Sequence, residues 1–379
     1  MGSMGATLPL PLSGVRVVEL AGIGPGPFAT MMLAELGADV IRIDRPGGSE
    51  FFPDSEDRDL LNRGKRSIAL DLRDPEDLGI ARALASRSHV VVEGYRPGVA
   101  EKMGLGPAEC LADNPALVYG RMTGWGQDGP DAQTAGHDIN YISVTGALHA
   151  MGPADRPVPP LNLVGDFGGG ALYLVVGILA ALRVAGEHGR GQVVDASVVD
   201  GTAHLLTGIH ALLGAGTWRD QRGVNMLDGG MPFYDTYATS EGGHMAVGCL
   251  EPRFYREIVT LLGVDLDPAD QYRAASWAAA REAITAAFRA RTREEWTRVF
   301  AGSDACVTPV LSMREAANWP QLAARGTLSA DEPLQAAPSP RFSASAAPTP
   351  TPPPLPDQDR DEILRELSME RSDLSGASR

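Results

Sequence analysis

The 379-residue sequence predicts an α/β protein in two parts, a large domain on a parallel sheet and a smaller α+β domain. Three observations carry that prediction. The length exceeds what one hydrophobic core usually holds. From Val15 to Ala196, short β-branched runs alternate with helical stretches, which is the pattern of parallel βαβ units. From about residue 226 the pattern changes to two neighbouring strands followed by three amphipathic helices, enough for a self-contained unit. The expected division is 1–200 for the large domain, 201–225 for a linking helix, 226–325 for the small domain, and 326–379 for a segment that returns to the large one.

The elements follow in order. Val15 to Leu20 (VRVVEL) reads as a buried strand, the glycine-rich Ala21 to Pro27 as a turn, Phe28 to Leu36 as a helix closed by Gly37, and Val40 to Asp44 as a second strand. This is a βαβ unit of Rossmann-like kind. Its glycines are spaced GxGxG and followed by Pro27, not GxGxxG, so the turn is read as tight geometry rather than as a dinucleotide fingerprint with Asp44 as its ribose acid. Ser67 to Leu72, His89 to Val92, Leu117 to Arg121 and Gln192 to Ala196 supply further strands, with a helix over Asp77 to Ala85. Ala171 to Leu182, the longest apolar run, is broken by Gly177 and too short to span a bilayer, so it reads as a buried helix. Ser197 to Leu213 is mostly helical, and His204 and His210 on it are ordinary helix residues. Beyond the small domain, Ala336 to Pro356 is rich in proline, alanine and serine and so extended. A last helix from Asp359 to Met369 packs back through Ile363, Leu364 and Leu367.

Composition narrows the function. Apolar residues at 44% and charged residues at 21% are ordinary for a soluble globular chain. A net charge of −15 argues against general binding to nucleic acid or to an anionic membrane. Lys65 and Lys102 are the only lysines, so nearly all positive charge is arginine. Cys110, Cys249 and Cys306 are widely spaced with no metal-binding pattern, which suggests reduced thiols in a cytoplasmic protein. No basic flank precedes an apolar run near the start, so no signal peptide is expected.

Against that acidic background, Arg42, Arg45, Arg63, Lys65, Arg66 and Arg73 cluster locally. Such a patch suggests an anionic ligand with phosphates; the alternative is a solvated face balanced by Asp54, Glu56, Asp57 and Asp59. Arg96 stands just past a strand's carboxyl end, where open α/β sheets bind ligands.

The stretch from Gly120 to Gly169 concentrates glycine, proline and small residues around His137, Asp138 and Asp166. So much special backbone geometry favours a site over a core. No GxSxG nucleophile elbow occurs, and His137-Asp138 alone is too few ligands for a metal. General acid–base work or a carboxylate nucleophile remains.

The motifs AGIGPGPF, RIDRPG, RGKRS, GYRPGVAEKMGLGP, TGWGQDGP, AGHDINY, PPLNLVGDFGGG, NMLDGGMPFYDTY, GCLEPRFY and SDACVTPVL stand in order from about Leu12 to Leu311. Together they resemble the alpha-methylacyl-CoA racemases of the class III coenzyme A-transferase superfamily. The resemblance implies a Rossmann-like large domain completed by the C-terminal segment, a small α+β domain, and two chains interlocked as a homodimer. It implies an acyl-CoA substrate whose α-carbon is inverted by 1,1-proton transfer, with His137 and Asp166 as the opposed bases and Glu251 orienting the imidazole. The Asp138 backbone N–H is expected to face the thioester oxygen. Coenzyme A contacts carry over to Ile23, Arg45, Leu70, Asp71, Leu72, Arg73, Arg96, Lys102, Gly136, Ile139, Asn140 and Tyr141. Coenzyme A is then part of the substrate, and no redox cofactor or metal is required. The rival in the same superfamily is a CoA-transferase using Asp166 as nucleophile, which needs no base at His137; a silent acyl-CoA-binding protein is the other alternative. Met231, where a smaller residue is expected, either lines the acyl pocket or packs the small domain.

Overall fold

The computed structural model describes residues 7–48, 56–329 and 332–376. Two compact units emerge. The first comprises the described residues of Met1–Thr145, Leu161–Leu205 and Asp331–Arg379, and the second those of Gly146–Pro160 and Leu206–Ala330. Part of the glycine-rich stretch, residues 146–160, thus belongs to the second unit.

The first unit is built on six parallel strands: β1 (Arg16–Leu20), β2 (Asp39–Asp44), β3 (Arg66–Ala69), β4 (Val90–Glu93), β5 (Val118–Thr123) and β6 (Val193–Ser197), in the spatial order β3-β2-β1-β4-β5-β6. That is the doubly wound order, in which the chain reverses direction across the sheet between β1 and β4 and opens a crevice at the strands' carboxyl ends. Val17, Val18, Ile41, Ile43, Val90 and Val91 are buried, as strands covered on both faces require. Helices α1 (Pro25–Glu35), α2 (Pro75–Ser86), α3 (Val99–Lys102), α4 (Pro107–Asp113) and α5 (Asp138–Val144) follow in turn. Pro25 and Pro75 open their helices at a position whose N–H needs no partner, and the Asp74 carboxylate caps α2.

β3 is an edge strand, and its outward N–H groups would be left open. The C-terminal return closes it: the Ser67 N–H donates to the Asp359 carboxylate and the Ala69 N–H to the Asp357 carboxylate, each at 2.8 Å. The helix Arg360–Gly376 then buries Ile363 and Leu367 in the core on that face.

Helix α6 (Leu172–His188) departs from expectation in two ways. It is preceded by a π-helical segment, Leu163–Ala171, so the helical run begins ahead of the expected Ala171 and includes Asp166. The combined Leu163–His188 helix is, by length and composition alone, long and apolar enough to cross a membrane. It is also not wholly buried. Leu174, Val175 and Ile178 pack on the sheet, while Leu172, Val176 and Leu179, spaced i, i+4, i+7 on another face, are exposed. Helix α7 (Val198–Leu205) follows β6 directly.

In the second unit, β7 (Tyr234–Ala238), β8 (His244–Gly248) and β9 (Val307–Pro309) form an antiparallel sheet in that order. Helices Pro252–Leu262, Trp277–Arg289 and Arg293–Phe300 accompany it. Phe233, Tyr237, Ile258, Phe288 and Trp296 fill the core, and Met231 is half-buried against that core. Cys110 and Cys249 are buried free thiols, whereas Cys306 is exposed.

Candidate active site

A cleft of about 920 Å³ opens at the carboxyl ends of the strands in the first unit. Ile23, Arg45, Arg96, Gly136, His137, Asn140, Tyr141 and Asp166 all line it. Leu70, Asp71, Leu72, Arg73, Lys102, Asp138 and Ile139 do not form its walls. Leu70 is fully buried, with its N–H committed to the Asp44 carbonyl. Glu251 belongs to the second unit, exposed at the residue preceding the helix Pro252–Leu262.

His137 ends an extended segment and caps α5; its own N–H donates to the Asn140 side-chain oxygen at 3.1 Å. Asp138 is the first residue of that helix, where the helix supplies no acceptor for a backbone N–H. Tyr141, one turn on, donates its hydroxyl to the Gly136 carbonyl and meets Trp125 edge-on at 4.9 Å. Both Gly124 and Gly136 leave room for that ring: a Cβ on Gly124 would lie 2.0 Å from Tyr141 Cζ.

Asp166 sits in the wide π turn, where Phe167 N–H reaches back five residues to the Asn162 carbonyl at 3.2 Å. Asn162 also donates to the Asp166 carboxylate, at 3.4 Å. Phe167 stacks on Phe28 of α1 with ring centroids 4.3 Å apart, which docks the turn on the helix that follows the glycine-rich loop. Gly24 in that loop has φ 69°, and a Cβ there would stand 3.2 Å from Asp166 Oδ2. The first βα turn therefore packs against the carboxylate.

Burial pushes the Asp166 carboxyl up to about 6, and the nearby Asp138 charge adds to the rise; the Asn162 hydrogen bond and His137 oppose it. Burial also raises Asp138, against the N–H groups of Asp166 and Gly165 that it accepts. An aspartate whose proton comes off near 6 serves as acid and as base close to neutrality.

The basic cluster resolves differently from the phosphate patch expected of it. Arg42 pairs with Asp44 at 3.0 Å, Arg63 with Glu35 at 2.6 Å, Lys65 with Glu19 at 2.7 Å, Arg66 with Asp39 at 2.7 Å and Arg73 with Asp71 at 2.9 Å. The spacing along the chain hid these partners, because Glu19, Glu35 and Asp39 come from β1, α1 and β2, not from the acidic run next door. Asp54 lies outside the described residues. Arg45 and Arg96 are the exposed cleft arginines for which no such pair is recorded among the described residues. Asp44 is likewise occupied, by Ser67 Oγ at 2.6 Å and by Arg42, so it offers no free carboxylate to a ribose. Trp125 and Asn162 stand inside the motifs TGWGQDGP and PPLNLVGDFGGG but were given no site role there; the fold brings Trp125 to the cleft wall and Asn162 to the Asp166 carboxylate.

Proteins similar in sequence and in structure identify the family. The alpha-methylacyl-CoA racemase of Mus musculus is 44% identical over 332 residues, covering 87% of this chain and 85% of that protein. The enzyme of the same name from Homo sapiens is 42% identical over 331 residues, with the same coverage. A crystal structure of a CAIB/BAIF family protein from Brucella suis superposes with a TM-score of 0.80 at 27% identity, over 95% of this chain and 100% of that one. The family model for CoA-transferase family III matches residues 12–360, and the chain belongs to that family.

Proposed function

We propose that the protein is an isomerase that interconverts (2R)- and (2S)-2-methylacyl-CoA thioesters. The observation that carries this reading is that His137 and Asp166 line one cleft while burial holds the Asp166 proton to about pH 6. Inverting a carbon needs one group to remove its proton and another, on the opposite face, to deliver one. In one direction the neutral His137 imidazole takes the α-proton, charge moves to the thioester oxygen, and the protonated Asp166 returns a proton to the far face. His137 is left charged and Asp166 ionised, the arrangement that runs the reverse reaction. The Asp138 N–H, free of a helix acceptor, is the donor proposed for the enolate oxygen. No step calls for a redox cofactor or a metal.

Arg45 and Arg96 hold the anionic coenzyme A portion, with Ile23, Gly136, Asn140 and Tyr141 along the same wall. Leu70 to Arg73, Lys102 and Ile139 are assigned to coenzyme A by the family motifs, as is the orienting role of Glu251. A homodimer accords with the exposed Leu172, Val176 and Leu179 face, since a soluble monomer seldom leaves such a stripe open. A cytoplasmic location and the absence of membrane attachment complete the reading.

The rival is CoA transfer with Asp166 as nucleophile. It gives no role to His137 in the cleft. Incubation with a (2R)-methylacyl-CoA in deuterated water tests the two: α-deuterium incorporation with epimerisation supports the racemase. Coenzyme A passing to a free carboxylate with no exchange at the α-carbon overturns it.

A further inference from the structure

Residues 29 positions apart must be held at a fixed spacing across one carbon, and one side chain spans the two segments. Asp138 follows His137 directly, and its carboxylate Oδ1 accepts the backbone N–H of Asp166 at 2.7 Å. That N–H lies in the opening turn of the π helix, where the wide i→i−5 pattern leaves the first donors without an internal acceptor. Asp138 therefore caps the turn from outside. The fit is close: a Cβ on Gly165 would fall 2.2 Å from Asp138 Oδ1, so only glycine admits the carboxylate there. Asp138 is 8% exposed and does not line the cleft, so its side chain faces protein and not ligand.

The geometry points to Asp138 as the positioning residue of the proton-transfer pair: its main chain carries His137, its side chain caps the turn presenting Asp166, and one residue sets the spacing of both. This rests on the racemase reading. It assigns the Asp138 carboxylate a task separate from that of its backbone N–H. The same carboxylate places a negative charge beside Asp166 and helps keep the acid protonated. Of the other groups near Asp166, His137 opposes that effect, and Tyr141 of α5 feels the Asp166 charge in turn. On the remaining elements packed against the turn, Asp200 is bound to Ser197 Oγ, His204 to the Tyr173 hydroxyl, and Arg121 to Glu93 and Glu101.

Asp138→Asn keeps an oxygen acceptor for the Asp166 N–H and removes the charge; Asp138→Ala removes both. In the full-length protein, Asp138→Asn should hold kcat for α-proton exchange within about tenfold, the scale of a preserved geometry, while the acid limb of its pH profile moves to lower pH. Asp138→Ala should lose about a hundredfold in kcat, as expected for a catalytic group displaced by about 1 Å, with coenzyme A affinity unchanged. Equal kcat in the two variants, or an acid limb that stays in place in Asp138→Asn, overturns the assignment. Amide hydrogen exchange over residues 163–171 reads the cap independently of catalysis. It should be slow in the parent and in Asp138→Asn and fast in Asp138→Ala; no difference between the variants also overturns it. A parent that shows the protected amide but no α-proton exchange sinks the racemase reading and leaves the cap standing.

Discussion

Lys65 Nζ lies 2.7 Å from Glu19 Oε2 beneath the cleft, and both side chains are buried. Lys65 also donates to the Pro27 carbonyl and to Asn62 Oδ1, each at 3.1 Å, while Thr30 Oγ1 donates to Glu19 at 2.7 Å. Burial pulls Lys65 down and would raise Glu19, but Lys65 and Arg42 outweigh it and hold Glu19 low, so the pair is read as charged. Removing one partner strands the other charge in the core, at a cost of about 3–5 kcal/mol. Lys65→Met and Glu19→Gln should each lower the unfolding free energy obtained from denaturant titration by that amount, and the double variant should recover most of the loss. A Lys65→Met protein of unchanged stability but weakened coenzyme A binding would show instead that Lys65 serves the ligand.

The arginines divide by whether a carboxylate already holds them. Arg45 and Arg96 are exposed in the cleft, whereas Arg73 is spent on Asp71. A charge-assisted hydrogen bond to a charged group contributes about 1.5–3 kcal/mol, so Arg45→Ala and Arg96→Ala should each weaken coenzyme A binding by about tenfold or more. Arg73→Ala should change it less, because the exposed Asp71–Arg73 pair is screened by water and its loss leaves an unpaired acid. Titration calorimetry at low and high salt checks the ranking. An Arg73 effect as large as that of Arg45 contradicts it.

Asp166 sets a pH dependence of stability whose sign is fixed. Its folded carboxyl is raised to about 6 from an ordinary 3.8, so between those values the folded chain holds a proton that the unfolded chain has released. Stability from this group is present below the unfolded value and is lost as pH rises through the folded one. Asp166→Asn cannot ionise. It should melt higher than the parent at pH 7.5, and the advantage should shrink as pH falls to 4. A constant difference in Tm between the two pH values defeats the argument. In catalysis the active pair carries one proton, so kcat/KM should be bell-shaped and of the same shape in both directions, because the equilibrium between epimers does not depend on pH.

The strand segments, the closing helix and the glycine-rich turns were legible because each rests on local signals: β-branched runs, helical spacing, and glycines where the chain turns. Ion pairing was not legible. Arg63 meets Glu35 across 28 positions and Arg66 meets Glu366 across 300, distances over which sequence proximity carries no information. The π turn was missed for a related reason. LVGDFGGG has the glycine content of a loop, and its wide helical form depends on Asp138 and Phe28, which stand far away in the sequence. The apolar face of α6 was read as buried because hydrophobicity alone cannot tell a core face from an unpartnered one.

Tyr141 and Gly124 form the tightest fit at the histidine side of the cleft. The Tyr141 hydroxyl holds the Gly136 carbonyl just before His137, and its ring fills space that a Cβ on Gly124 would take. Tyr141→Phe keeps the ring against Trp125 and loses one hydrogen bond, so it should cost about 1 kcal/mol of stability and only a modest share of the exchange rate. Gly124→Ala leaves the ring no place at 2.0 Å and must push it, and with it Gly136 and His137, out of register. Its exchange rate should fall by about a hundredfold, the scale of a catalytic group displaced by about 1 Å. Combining Gly124→Ala with Tyr141→Ala removes the clash, so the double variant should exchange faster than Gly124→Ala alone. Strict additivity of the two losses would place the effect elsewhere than in this contact.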